Sequence, residues 1–114
     1  MLSEPISFDR AADYYDATRA LPDDARVALT EVLAAELAGR GPCLEIGVGT
    51  GRIALPLHDR GISLVGADIA PAMLRRLVRN AGGRQPFPLL LADATRLPLS
   101  GAAFGAVLAA WPSA

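Results

Sequence analysis

The stretch PCLEIGVGTGRIALPLHDRGISLVGAD, residues 42–68, decides the fold. Cys43 to Ile46 is a short apolar run broken only by Glu45, and it leads into glycines at 47, 49 and 51. An apolar run closed by such a cluster reads as a strand entering a tight turn. Glycine lets the backbone turn sharply and lets a ligand approach the main chain. A helix is expected next, from about Gly51 to Asp59, with Pro56 inside it. Proline there would clash with the Arg52 carbonyl and remove a hydrogen bond, which predicts a kink or an early end. Residues 62–67 (ISLVGA) form a second strand, and Asp68 stands at its end.

The same alternation continues outward. Pro71 suits the first turn of a further helix. Met73, Leu74, Leu77 and Val78 make its apolar face, Arg75, Arg76 and Arg79 its solvated face, and Gly82-Gly83 stop it. Residues 88–92 and 104–110 read as third and fourth strands. Upstream, residues 8–20 predict a short helix broken at Leu21-Pro22. Asp23 or Asp24 then caps a helix to about Leu37, with Leu29, Val32, Leu33 and Leu37 on one face. The chain thus divides into an N-terminal helical segment, 1–41, and an alternating unit, 42–114. Short, continuously apolar strands alternating with helices predict an α/β fold: a Rossmann-like parallel sheet with helices on both faces.

Composition narrows the function. The chain has 114 residues, enough for one core. Apolar residues are 52%, and 11 basic against 12 acidic residues leave a net charge of -1. Such a balance disfavours nucleic acid as a partner and fits a small-molecule substrate better. No basic, apolar leader opens the chain and no run of about 20 apolar residues spans a bilayer, so a soluble, cytoplasmic protein without a membrane partner is expected. Cys43 is the single cysteine and reads as a core residue.

Ligands of parallel sheets bind at the carboxyl ends of the strands. Acids stand at three successive ends: Glu45, Asp68 and Asp93. Asp68, 21 positions after Gly47, either accepts from a ribose diol or caps the next helix. Asp93 either accepts from the exocyclic amine of a base or closes a turn. A dinucleotide fits poorly. Its fingerprint, started at Gly47, needs glycine where Arg52 stands. An anionic Glu45 beside a pyrophosphate is also repulsive. Adenosine joined to a sulfonium-bearing amino acid meets these demands.

At this point the sequence resembles the class I S-adenosylmethionine-dependent methyltransferases. LEIGVGTGRIALPL is similar to their first motif and VGADIAPAML to their second. LLLADATRLPLSGAAFGAVLAA is similar to the segment carrying the third motif and the fourth strand. FDRAADYYDATR resembles the N-terminal helix of small-molecule methyltransferases related to quinone-biosynthesis C-methyltransferases. The resemblance implies S-adenosylmethionine as cofactor and a small-molecule methyl acceptor. It implies that Gly47, Gly49 and Gly51 line the methionine part and that Glu45 acts near its ammonium or organises water there. Asp68 would hold the ribose hydroxyls, Ile69 would pack on the adenine, and Asp93 with the Ala94 amide would meet the adenine edge. Tyr14, Tyr15 and Arg19 match the segment that closes over the methionine end, Arg19 pairing with the carboxylate.

The sequence departs from the family in three places. Ala70 stands where relatives often carry a capping serine or threonine, and Gly105 stands in the fourth strand, which it weakens. The chain ends at Trp111-Pro112-Ser113-Ala114, just past that strand, so the sheet is expected to be incomplete, and the alternative to an active methyltransferase is a non-catalytic cofactor-binding fragment or partner-dependent module. The expected strand order is third, second, first, fourth, with the fourth an apolar edge open to self-association. No general base or metal-ligand cluster is evident, and His58, the one histidine, reads as a surface residue.

Overall fold

The sheet is built around Cys43–Ile46, strand β1, which pairs on both sides. The computed structural model describes residues 22–93 and 104–109. Helix α1 (Asp23–Leu37) precedes β1, and α2 (Ala54–Asp59) connects it to β2 (Leu64–Asp68). Helix α3 (Pro71–Asn80) leads to β3 (Leu89–Leu91), and β4 is Ala106–Ala109. All pairings are parallel, as the alternation predicts, and the order is β3-β2-β1-β4, the order expected beside the family resemblance. Glu45 stands opposite Gly66 on one side and Leu108 on the other.

The core explains why the strands are continuously apolar. Cys43, Val48, Ala54, Leu57, Leu64, Leu77 and Phe87 form one buried cluster drawn from strands, turn and helices. Leu33, Ala34 and Leu37 of α1 pack against it. An ion pair between Arg60 and Glu31, 2.8 Å, links the end of α2 to α1. Met73 and Leu77 are the buried residues of α3, on the face expected of them. That helix closes with Gly83 N donating to the Val78 carbonyl and Gly82 N to that of Arg79, the Schellman pattern.

Several boundaries differ from the sequence reading. Pro22, not an aspartate, holds the N-cap position of α1, and Asp23 and Asp24 lie in its first turn. Leu29 and Val32 are exposed; Thr30, buried with its hydroxyl donating to the Arg26 carbonyl, takes part of the inward face. Helix α2 begins at Ala54 rather than Gly51, because residues 51–53 are still turning. Pro56 is therefore its third residue: Leu55 N donates to the Gly51 carbonyl at 2.9 Å and Leu57 N to the Ile53 carbonyl at 3.3 Å, and the bond between them, to the Arg52 carbonyl, is the one Pro56 cannot donate. The second strand runs 64–68 rather than 62–67, so Asp68 is its last residue. The third and fourth strands are shorter than expected. Gly105 lies just before β4, where a Cβ would overlap the Arg40 carbonyl. Its amide donates to the Pro42 carbonyl at 2.9 Å. Close approach of two backbones, rather than a flaw in the strand, accounts for this glycine. The helix expected over 8–20 lies outside the described residues.

Candidate functional site

The turn after β1 is fixed by its neighbour strand. Gly47 N and Val48 N both donate to the Ala67 carbonyl, at 2.8 and 3.0 Å. Gly47, Gly49 and Gly51 have φ of 71°, 60° and 90°, a region closed to most side chains. Gly51 also has a packing reason. A Cβ there would lie 2.8 Å from Leu55 Cγ and 3.0 Å from Leu77 Cγ, so its absence lets the turn settle on both helices. At the far side, Asn80 Nδ2 donates to the Thr50 carbonyl at 3.0 Å, tying the end of α3 to the turn.

Asp68 joins these parts. Its Oδ2 accepts from Gly49 N at 2.8 Å, and its Oδ1 accepts from Ala70 N at 3.0 Å. One buried carboxylate thus holds both the glycine turn and the entry to α3. Ala70 itself supplies no side-chain cap. The Asp68 carbonyl accepts from Ala92 N at 2.9 Å, which draws the end of β3 to the end of β2. Asp93 follows directly and is half-buried. Ile69, between Asp68 and the start of α3, is 54% exposed, an apolar surface at the strand ends.

Glu45 is the unusual group. It is only 1% exposed, and its Oε1 has no hydrogen-bond partner among the described residues. Its register partners, Gly66 and Leu108, offer no side-chain donor. Burial, reinforced by the Asp68 charge, pushes its carboxyl up to about 8. Cys43, on the same strand, is pushed up by burial and by Glu45, which keeps its thiol protonated and inert.

The structure therefore brings Glu45, Gly47, Gly49, Gly51, Asp68, Ile69 and Asp93 to one end of the sheet. Tyr14, Arg19 and Ala94 lie outside the described residues. Sequence reasoning missed Asn80, whose position at a helix end carries no signal of the turn it reaches, and the Asp68–Gly49 bond. The residues fit a ligand with a charged amine. A buried acid unsatisfied among the described residues favours a cation bearing N–H donors and disfavours a pyrophosphate. Among the described residues no group of histidine, cysteine or carboxylate side chains is placed to hold a metal ion. An open cleft lined by His58, Ile62, Phe87 and their neighbours lies at the opposite, amino end of the strands. There the exposed His58 ring meets Phe87 edge-on at 5.5 Å.

Comparison with known proteins agrees with this geometry. Residues 43–112 match the family model described as Methyltransferase domain. The chain is 33% identical to a malonyl-[acyl-carrier protein] O-methyltransferase of Geobacter sulfurreducens, over 90% of this chain and 39% of that protein. The CcbJ methyltransferase of Streptomyces caelestis superposes with a TM-score of 0.73 at 33% identity, covering 92% of this chain and 44% of that one. The glycopeptide N-methyltransferase MtfA, solved with S-adenosyl-L-methionine, shares the fold: TM-score 0.59, 23% identity, 72% of this chain and 35% of that one. The chain thus spans about two fifths of the length of the curated relative. A glycine turn bonded to a strand-end aspartate, the β3-β2-β1-β4 order and the match over 43–112 together show that the chain belongs to the class I S-adenosylmethionine-dependent methyltransferase family.

Proposed function

We propose that this chain forms the cofactor-binding part of a methyltransferase that acts on a small-molecule acceptor. The observation that carries the reading is the Asp68 carboxylate bonded to Gly49 N beside the buried, unsatisfied Glu45. In this reading the glycine turn seats the methionine part, and Glu45 receives its ammonium. Asp68 holds the ribose hydroxyls, and Ile69 and Asp93 receive the adenine face and edge. Ala94, Tyr14 and Arg19 complete the cofactor's surroundings by the family resemblance. When bound, S-adenosylmethionine supplies a methyl group already activated by its positive sulfur. The residues of this chain then contribute position, alignment and exclusion of water rather than acid–base chemistry.

The division at 41/42 belongs to the same reading, α1 bracing the sheet through Leu33 and Leu37. A cytoplasmic location belongs to it as well. No helix among the described residues is long and apolar enough to cross a membrane. Strand β4, at one edge of the sheet with Val107 54% exposed, supports self-association through that edge, which the sedimentation mass of the chain tests.

A thermal melt with S-adenosylhomocysteine, with NAD as control ligand, tests the cofactor reading. A ligand at 100 times its Kd stabilises the native state by about 2.7 kcal/mol, so the midpoint rises by several degrees with the homocysteine compound alone. An equal rise with NAD, or no rise in a chain that melts cooperatively, overturns it.

A further inference from the structure

We infer that Glu45 holds its proton in the ligand-free chain and gives it up when the ammonium group of S-adenosylmethionine docks, so that cofactor binding releases one proton. The inference rests on the cofactor reading above and adds to it a charge change at a named atom.

The surroundings of Glu45 carry the argument. The strands paired with β1 are β2 and β4. Across β2 and β4 the only titratable side chain is Asp68; β4 is Ala-Val-Leu-Ala. On β1 itself the other titratable group is Cys43, which keeps its proton. The cations nearest in sequence are Arg40, exposed and paired with Glu36, and Arg52, beyond the glycine turn; the arginines of α3 follow β2. Among the described residues of the paired strands, Glu45 thus faces a second carboxylate and apolar or glycine neighbours, with its Oε1 lacking a donor. An ionised carboxylate in such a place is costly, and the acid stays neutral. A ligand ammonium reverses the balance. It brings a positive charge and three donors to the orphaned oxygen, and a nearby opposite charge favours the ionised form. The step balances: the protonated carboxyl and the ligand's ammonium become a carboxylate–ammonium pair, and the proton passes to the solvent buffer.

Titration calorimetry at pH 6 in buffers of different ionisation enthalpy counts that proton. An α-amino group is already charged at this pH, so the ligand's own amine contributes little. Close to one proton released per S-adenosylmethionine bound is expected, with affinity rising about tenfold per pH unit from 6 to 7. Glu45→Gln is expected to bind more weakly and to release none. 5′-Methylthioadenosine, which lacks the amino acid, is expected to bind the unaltered chain without release. Binding of S-adenosylmethionine with no proton released, or equal release by Glu45→Gln, overturns the inference and leaves the cofactor reading standing. No binding by the unaltered chain, folded by its circular dichroism, overturns the cofactor reading and the inference with it.

Discussion

Glu45 makes the stability of the ligand-free chain depend on pH in a direction opposite to that of most carboxylates. Its carboxyl is near 4.5 in the unfolded chain and about 8 in the folded one. Between those values the folded state binds more protons than the unfolded state, so stability falls as pH rises through that window. Below 4.5 both states are protonated and above 8 both are ionised, and the Glu45 contribution is flat. Within the window each pH unit is worth up to about 1.4 kcal/mol. From pH 5 to pH 7 the loss is roughly 2–3 kcal/mol, a large fraction of the stability of a small domain. At about 4 °C per kcal/mol the midpoint drops by roughly 10 °C. Glu45→Gln keeps the shape and removes the ionisable proton, so this share of the slope is absent from the variant. Other carboxylates and Asp68 contribute to both proteins and cancel in the comparison to first order. Urea titrations of the two proteins at pH 5, 6 and 7 measure the difference directly. Parallel slopes would refute the claim that Glu45 is buried and neutral.

Further outcomes follow from the same contacts. Gly51→Ala places a Cβ against Leu55 and Leu77 at positive φ and is expected to cost about 2 kcal/mol, read as a lowered urea midpoint. Asp68→Ala removes the acceptor of Gly49 N and Ala70 N; cofactor affinity is expected to fall several-fold or more in calorimetry, with stability down by about 1–3 kcal/mol. Unchanged affinity in a folded Asp68→Ala would remove Asp68 from the site. Gly105→Ala forces the Arg40 carbonyl away from β4, and a lower melting midpoint by several degrees is expected, whereas Val107→Thr on the exposed edge leaves it nearly unchanged. Leu77→Ala empties a fully buried site and costs about 2–5 kcal/mol by chemical denaturation.

Much of this was written in the chain itself. Alternating apolar runs and glycine stops specify the strands, and their parallel pairing follows because every connection exceeds the roughly a dozen residues a crossover needs. The three strand-end acids, the inert Cys43 and the proline opening α3 are local features, so local pattern finds them. Burial of α1 was less legible: Leu29 and Val32 have the spacing of an inward face, but which stripe turns inward depends on what the helix packs against. The start of α2 was misplaced for a related reason, since the three positive-φ glycines lengthen the turn at the expense of the helix. Only the tertiary structure shows that one aspartate bonds the glycine turn and the next helix, that Gly51 and Gly105 answer to packing, and that Asn80 reaches Thr50. Those are contacts between residues far apart in sequence. The charge of Glu45 is of the same kind. Its ionisation is set by Gly66, Leu108 and Asp68, which the chain brings beside it only when the sheet closes and water is gone.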